Sequence, residues 1–284
     1  MKLSVIIPIY NESEIIAELH HRLTKTTALL KDKVGLSVTD IEYLFINDGS
    51  SDSSLAQLIV LVNANPYYKV INFSRNFGHQ KAVTAGLQHS LGEQVVIIDA
   101  DLQDPPEFIV DLYEKLKEGF DVVYAVRKNR TGENFLKIIT AKLFYRLLFK
   151  VTDINIPLDT GDFRIMRRNV VNTLNNMPES HRFIRGMVSW VGFKQTGLEY
   201  NRQVRFAGQT KYPFKKMLRF AFDAITSFST LPLKLMIFTG FLASLIGLLG
   251  VLYIIYVKFC TDNAITGWSS IMITILLMGG VQLM

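Results

Sequence analysis

Short apolar runs alternate with segments of helical periodicity along residues 1–130 of the chain. The runs that predict strands are residues 3–10, 41–48, 68–73, 95–101 and 121–126. Strands that are apolar on both faces and separated by helices are typical of an α/β fold with a mostly parallel sheet. Ligands of such sheets bind beyond the carboxyl ends of the strands, so the residues that follow each run are the first candidates for a site.

Amphipathic stretches occupy much of the next hundred residues. We predict an amphipathic helix over residues 133–150, and residues 213–229 place Phe and Leu at helical spacing against Lys and Arg. The second stretch fits a helix that lies in a membrane surface. A helix packed on a soluble core has the same pattern and is the alternative.

Two charge-free runs near the end have the composition of membrane spans. Residues 235–257 contain no charged side chain and are long enough to cross the hydrocarbon core of a bilayer. A second run begins near Trp268 and continues to Met284, so we expect the chain to be cut inside its second span. A buried helical hairpin of a soluble protein is the alternative.

Basic residues before the first run predict its orientation. They are Lys211, Lys215, Lys216, Arg219 and Lys234. By the positive-inside rule, everything before the span is expected in the cytoplasm, with the spans in the plasma (inner) membrane. We therefore divide the chain into a cytoplasmic domain over 1–210, amphipathic juxtamembrane helices over 211–232 and two transmembrane helices over 233–284.

Composition narrows the class further. Of the 284 residues, 49% are hydrophobic and 20% are charged, which excludes a disordered chain. The single cysteine, Cys260, excludes a disulfide scaffold and suits a reducing compartment. The net charge of +6 fits an anionic membrane surface, a phosphate-bearing substrate or nucleic acid, and composition does not choose among them.

Two carboxylates close the fourth predicted strand. Alternation along the strand puts Asp99 and Asp101 on one side, and Gln103 adds a neutral oxygen two residues later. Such oxygens suit a divalent cation that is shared with the phosphates of a substrate. A turn that caps the next helix is the alternative, and to it we assign Asp104 and Glu107, which flank two prolines.

Polar residues also follow the first two strands. Tyr10, Asn11 and Glu12 come after the first strand, and Asp48 comes after the second. An acidic group in such a position can accept hydrogen bonds from a ribose or a base edge, although Asp48 also fits a simple turn. Neither glycine-rich nucleotide fingerprint occurs in the chain, which argues against a dinucleotide redox domain and a P-loop NTPase.

Six ordered segments resemble one enzyme family. They are VIIPIYNE, INDGSSD, NFSRNFGHQKAVTAG, DADLQDPPE, TGDFRIMRR and RFAGQTKY. Together they resemble the polyisoprenyl-phosphate glycosyltransferases of glycosyltransferase family 2, most nearly the bactoprenol glucosyl transferases and more distantly dolichyl-phosphate mannose synthase. The resemblance spans essentially the whole chain. It implies a Rossmann-like GT-A fold, a divalent cation (Mg²⁺ or Mn²⁺), and inverting transfer of a hexose from a nucleotide sugar to polyisoprenyl (undecaprenyl) phosphate, for modification of cell-surface glycans.

The resemblance also implies roles for individual residues. The nucleotide-sugar site would comprise Pro8, Tyr10, Glu12, Asp48, Asp99, Ala100 and Asp101. The cation would be held by Asp99, Asp101 and Gln103. The phosphates of donor and acceptor would be bound by Arg127, Arg130, Arg205, Thr210 and Lys211. The catalytic residues would be Asp101 and Asp162, the latter in the position of the base.

Physical chemistry qualifies the role of Asp162 as a base. A phosphate monoester has its second pKa near about 6, so it is largely dianionic at cytoplasmic pH and needs no strong base. Asp162 can instead orient the acceptor, stabilise positive charge on the sugar, or take the proton of the monoanion. A turn residue paired with Arg164 or Arg167 is the structural alternative, and Asp159 is a neighbouring candidate.

The sequence thus predicts a membrane glucosyltransferase that uses UDP-glucose, with GDP-mannose, UDP-galactose or an amino-sugar donor as alternatives. A processive polysaccharide synthase would carry a QxxRW motif, which is absent from the sequence, and an inactive scaffold would not need the acidic and basic residues. No nucleic acid partner is expected, and a homo-oligomer such as a tetramer is compatible with the resemblance. His79 is expected to pack in the core or lie at the surface, and residues 75–78 have no assigned role.

Overall fold

The structure is a computed structural model that describes residues 1–128, 160–179, 182–203, 231–260 and 267–283. The chain divides into two compact units. They are Met1–Phe149 with Ile154–Phe220, and Lys150–Asp153 with Ala221–Met284. The helices predicted over residues 133–150 and 213–229 lie outside the described residues.

The described part of the first unit alternates strands with helices. Its strands are β1 (Leu3–Ile9), β2 (Ile41–Asn47), β3 (Tyr68–Asn72), β4 (Gln94–Ile97), β5 (Val122–Arg127), β6 (Thr160–Arg167) and β7 (Gln195–Tyr200). Its helices are α1 (Ile16–Val34), α2 (Ser54–Ala64), α3 (His79–His89), α4 (Ile109–Lys117), α5 (Arg168–Asn176) and α6 (Ile184–Trp190). Short 3₁₀ turns at Val38–Asp40 and Pro106–Phe108 precede β2 and α4.

One mixed sheet joins these strands in the order β3-β2-β1-β4-β6-β5-β7. The five predicted strands are present, and the mostly parallel sheet is confirmed. The exception is β6, which runs antiparallel to both β4 and β5. The amino end of β6 therefore lies at the edge where the neighbouring parallel strands have their carboxyl ends.

Burial explains why the central strands are almost continuously apolar. Every residue of β1 and β2 is buried, as expected for strands covered by helices on both faces. On one face, α1 buries side chains at helical spacing, including Ile16, Leu19 and Leu23. The helix ends at Gly35, whose φ of +74° is the left-handed conformation that glycine adopts without strain.

The fourth strand is shorter than predicted. We expected it to reach Asp101, but the ladder with β6 ends at Ile97, which pairs with Arg164. Continuing this antiparallel register by two residues would set Asp99 opposite Asp162. Two like charges on opposed residues destabilise a ladder, and here the chain leaves the strand and turns, with Leu102 at φ +57°. The alternation argument for Asp99 and Asp101 is therefore wrong, because both residues lie beyond the strand.

The helix cap predicted at Asp104 and Glu107 is also wrong. The 3₁₀ turn begins after Pro105, which makes no side-chain capping bond. The buried carboxylate of Asp104 instead accepts a hydrogen bond from the hydroxyl of Tyr200 on β7. Glu107 is engaged by the guanidinium of Arg22 on α1. Both carboxylates have found polar partners on other elements, and these replace the local capping bonds.

The second unit contains two apolar helices, α7 (Leu231–Cys260) and α8 (Trp268–Leu283), that pack against each other. Gly247 allows a close approach, since a Cβ there would lie 3.3 Å from the carbonyl oxygen of Leu276. Most apolar side chains of α7 are exposed. Among the described residues, one helix, Leu233–Cys260, is long and apolar enough to cross a membrane. The 16 residues of α8 are shorter than a typical span, so the second predicted span is not confirmed.

Candidate active site

Carboxylates gather at the edge of the sheet where β4 ends and β6 begins. Asp99 lies among the negative charges of Asp162, Asp104 and Asp101. Burial and these three charges raise the pKa of Asp99 to about 6, against the opposing effect of the neighbouring His79. A concentration of negative charge that raises a carboxyl pKa in this way favours the binding of a cation.

Asp162 is held on both oxygens by cationic and amide groups. Its Oδ1 accepts hydrogen bonds from Arg185, with Nη2 at 3.3 Å, and its Oδ2 lies 3.0 Å from His79 Nε2 and 3.3 Å from Gln80 Nε2. The side chain is 7% exposed. Although burial acts in the opposite direction, Arg185 and His79 hold the pKa of Asp162 far below its ordinary value. These partners therefore favour the ionised carboxylate, which makes Asp162 a poor proton acceptor.

The alternative pairing of Asp162 with Arg164 or Arg167 is not the one found. Arg164 is buried and donates to backbone carbonyls, those of Asp162 and Gly161. Arg167 donates to the carbonyl of Phe120 at the far end of β6. The carboxylate of Asp162 instead has its partners on α3 and α6.

His79 lies between two carboxylates, where we had expected a packing or surface residue. Its Nε2 is 3.0 Å from Asp162 Oδ2 and 3.6 Å from Asp99 Oδ1. Burial disfavours the charged ring, but Asp99 and Asp162 outweigh it and raise the pKa of His79 to about 9. The two carboxylates thus favour the charged form of the ring, which would offset part of the negative charge at this edge of the sheet.

Asp48 anchors the loop that precedes His79. Its Oδ1 accepts the backbone N–H of Phe77 at 2.7 Å, and its Oδ2 accepts the N–H of Gly78 at 2.9 Å and the amide of Asn76 at 3.0 Å. The side chain is 3% exposed. These three bonds use most of the roughly four acceptor sites of the carboxylate, so a nucleoside contact at Asp48, as the sequence predicts, would have to share an oxygen with them.

The other predicted nucleoside residues lie at the carboxyl ends of β1 and β4. Pro8 is buried within the strand, and Ala100 is buried beyond β4. Tyr10 is 39% exposed, and the following Asn11 turns the chain at φ +52°. The backbone N–H of Glu12 donates to the hydroxyl of Ser54. The exposed ring of Tyr10 is thus placed where a nucleobase could stack on it.

Two of the three predicted cation ligands are carboxylates, and a cation held by them would take its remaining ligands from a substrate. In the described part of the chain, no three His, Cys, Asp or Glu side chains converge on one point as a finished metal site. Asp99 and Asp101 supply carboxylates, and the raised pKa of Asp99 shows that the site would gain from a cation. The Oε1 of Gln103 already accepts a hydrogen bond of 2.6 Å from Arg202 Nη2, so this oxygen is engaged. Two carboxylates without a third ligand suit Mg²⁺ or Mn²⁺ shared with a diphosphate.

Arg127 brings positive charge to the same edge. The charge of Asp104 acts on its guanidinium, and its Nε lies 3.5 Å from the hydroxyl of Tyr200. A Cβ on Gly161 would lie 2.8 Å from Arg127 Nη2, which places the tip of this side chain next to the first residues of β6. The other predicted phosphate-binding residues lie outside the described residues, as does Asp159; they are Arg130, Arg205, Thr210 and Lys211.

Three residues of the cleft were missed by sequence reasoning. They are His79, Gln80 and Arg185, and each contacts Asp162. The position of residues 75–80 directly after β3, at the carboxyl edge of the sheet, is a signal that could have identified the first two. Arg185 lies on α6, and no local pattern marks it.

The sequence of the chain is similar to those of known glycosyltransferases. Residues 4–174 match the family described as Glycosyl transferase family 2. The chain is 50% identical over 281 residues to the uncharacterized glycosyltransferase YkcC of Bacillus subtilis (strain 168), which covers 99% of this chain and 85% of the relative. It is 38% identical over 283 residues to the bactoprenol glucosyl transferase of Shigella phage SfV, which covers 100% of this chain and 90% of the relative.

Solved structures share the fold of much of the chain. S. aureus TarS 1–349 in complex with UDP-GlcNAc aligns with a TM-score of 0.51 and 19% identity, over 78% of this chain and 65% of that one. Glucosyl-3-phosphoglycerate synthase from Mycobacterium tuberculosis, in complex with Mn²⁺, UDP-glucose and phosphoglyceric acid, aligns with a TM-score of 0.50 and 18% identity, over 79% and 77%. These likenesses show a GT-A-like fold. Together with the family match over residues 4–174, they establish that the chain belongs to glycosyltransferase family 2 and is a glycosyltransferase.

Proposed function

We propose that this glycosyltransferase moves glucose from UDP-glucose to a polyisoprenyl phosphate at the cytoplasmic face of a membrane, with inversion at the anomeric carbon. The observation that carries the proposal is the likeness, over the full length of this chain, to relatives named bactoprenol glucosyl transferase. A likeness that includes the apolar helices as well as the sheet domain supports a lipid acceptor more strongly than a match to the sheet domain alone.

The donor diphosphate would lie at the edge formed by Asp99 and Asp101. A divalent cation held by these two carboxylates would neutralise charge on the departing diphosphate. Arg127, which lies at the same edge, would add a second positive charge from the protein. The uridine would extend toward the carboxyl end of β1, where the ring of Tyr10 is exposed, with Pro8, Glu12, Asp48 and Ala100 around it. Asp48 would also act through the loop at Phe77 and Gly78, which its carboxylate holds.

The chemistry needs no strong base in this cleft. An oxygen of the lipid phosphate forms a bond to the anomeric carbon, and the bond from that carbon to the diphosphate oxygen breaks with its electron pair. A dianionic phosphate has no proton to lose in this step. Asp162, which its partners keep ionised, would stabilise positive charge that develops on the sugar ring.

Membrane attachment would bring the two substrates together. We propose that the apolar helix Leu233–Cys260 is the first span and that the run from Trp268 begins a second, with residues 1–210 in the cytoplasm and 211–232 along the surface. The exposed apolar side chains of α7 support this placement. Arg130, Arg205, Thr210 and Lys211 would then meet the lipid phosphate. Confining donor site and acceptor to one interface raises their effective concentration.

A transfer assay with a panel of donors tests the proposal. Purified protein in detergent is mixed with undecaprenyl phosphate, Mg²⁺ or Mn²⁺, and radiolabelled UDP-glucose, UDP-galactose, UDP-GlcNAc or GDP-mannose. We expect a labelled lipid from UDP-glucose that disappears with EDTA and with Asp101→Asn. The matched control is Asp32→Asn, which changes an exposed carboxylate on α1 and should keep full activity. A labelled lipid from another donor would correct the sugar, and no labelled lipid from any donor would overturn the lipid acceptor.

A further inference from the structure

His79 contacts two carboxylates, one just beyond the end of β4 and one near the start of β6. The last β4–β6 pair is Ile97 with Arg164, and two residues farther along lie Asp99 and Asp162. His79 Nε2 is 3.0 Å from Asp162 Oδ2 and 3.6 Å from Asp99 Oδ1. One ring nitrogen thus lies between the residue assigned to the donor diphosphate and the residue assigned to the sugar.

The segment that carries His79 is fixed on both sides. Before it, the carboxylate of Asp48 binds the backbone of the loop at Phe77 and Gly78. After it, Gln80 accepts the backbone N–H of Ile184 at 3.0 Å and donates to Asp162 at 3.3 Å. Gly78 has φ +98°, a conformation that other residues adopt only with strain. Supporting bonds of this density are expected around a side chain whose exact placement matters.

We propose that His79 is a positioning residue of the transfer reaction, which holds the carboxylates of Asp99 and Asp162 at a fixed separation. The inference rests on the proposed placement of the donor at this edge of the sheet. The diphosphate and the sugar ring are parts of one molecule, so the two carboxylates must be aligned with each other to serve both. Misplacement by about 1 Å can cost about 100-fold in rate.

Two substitutions at His79 separate the role of its N–H group in positioning the carboxylates from the role of its ring size in packing. His79→Phe keeps a ring of similar size and removes the N–H at Nε2, while His79→Gln keeps an N–H donor at similar reach. We expect His79→Phe to lower kcat about 100-fold with KM for the nucleotide sugar within about threefold, and His79→Gln to restore kcat to within about tenfold of the unaltered protein. The matched control, His89→Phe, lies at the exposed end of the same helix and should keep full activity.

A double-mutant cycle with Asp162→Asn shows whether His79 acts through that carboxylate. If it does, adding His79→Phe to the Asp162→Asn variant should lower kcat further by less than about threefold. The charge of Asp162, which His79 aligns with Asp99, is already missing from that variant. A kcat of the double variant that is reduced by the product of the two single-variant losses would overturn the proposal. Equal kcat for the Phe and Gln variants, with melting temperatures also equal, would overturn it as well.

The test stands even if the lipid acceptor is wrong. Hydrolysis of the nucleotide sugar by water breaks the same bond between the anomeric carbon and the diphosphate, and it requires no lipid. The same cycle is therefore measured by release of nucleoside diphosphate without acceptor, where the same pattern of losses is expected. If the double variant shows the expected small further loss in hydrolysis but no lipid product forms, only the proposed acceptor is contradicted. If lipid product forms as expected but the two losses of kcat multiply in full, only the role of His79 is contradicted.

Discussion

Replacing Asp162 by asparagine separates a charge role from a proton-transfer role. Asparagine keeps one acceptor oxygen for Arg185 or His79 and removes the negative charge that these groups surround. Loss of one preorganised electrostatic contact typically costs about 100- to 1,000-fold in kcat, or about 3–4 kcal/mol of transition-state stabilisation. We therefore expect kcat of Asp162→Asn to fall within that range, with a smaller change in KM for the nucleotide sugar.

The same substitution should also destabilise the fold. Arg164 is 3% exposed, and Asp162 is one of the charges that offset its burial. Removing one member of a buried charged group leaves the others without compensation, at a cost of about 3 kcal/mol. Thermal unfolding in detergent measures this cost, and the kinetic assay is run well below the lower of the two melting temperatures.

The pH dependence of the rate decides between the two roles. Because the pKa of Asp162 is held far below its ordinary value, the group does not titrate in the working range. An acid limb in the rate at about pH 6 should then come from the second ionisation of the acceptor phosphate and from Asp99, whose pKa is raised to about 6, and it should be present in both proteins. Initial rates from about pH 5 to about pH 9 are expected to show this limb for both and a lower plateau for Asp162→Asn. Disappearance of the acid limb in the variant would refute the reasoning and restore Asp162 as the base.

Two further substitutions test the sheet and the loop that precedes His79. Burial opposes ionisation of Glu42, but bonds from Lys69, Ser4 and the N–H of Leu91 hold its pKa below the ordinary value. Glu42→Gln should therefore lower the free energy of unfolding by about 2 kcal/mol at pH 7. This difference between the two proteins is present above about pH 4.3 and vanishes as the pH falls through the pKa of Glu42 in the folded protein. Urea unfolding at pH 7 and pH 3 measures it, and equal stabilities of the two proteins at pH 7 would contradict it. Asp48→Asn should lower the melting temperature by about 4–8 °C, because it weakens hydrogen bonds to the loop before His79, and it should also lower kcat. Calorimetry measures the melting temperature and initial rates measure kcat. An unchanged kcat in a destabilised protein would show that the loop has no part in the reaction.

Local patterns in the sequence were sufficient to locate the edge of the sheet that carries the site. Apolar runs predicted the five strands, since burial on both faces leaves an uninterrupted signal in β1 and β2. Strand ends then placed Tyr10, Asp48 and Asp99 near one another, because parallel strands share one carboxyl edge. These inferences need only neighbouring residues along the chain.

Pairings between distant residues could not be predicted in the same way. The contact between His79 and Asp162 joins residues 83 apart, and it depends on β6 running antiparallel, which no local pattern shows. The partners of Asp104 likewise come from β5 and β7. The sequence Asp104-Pro105 has an evident local explanation as a helix cap. The partners of the Asp104 carboxylate on β5 and β7 come near it only when the sheet is assembled.

The position of a bound donor tests the central claim most directly. A structure of the detergent-solubilised protein with UDP-glucose and Mn²⁺ should show the diphosphate at the carboxyl end of β4, with the cation in contact with Asp99 or Asp101 and the glucose facing Asp162. A nucleotide bound at another part of the chain, with both of those carboxylates remote from cation and diphosphate, would contradict the account.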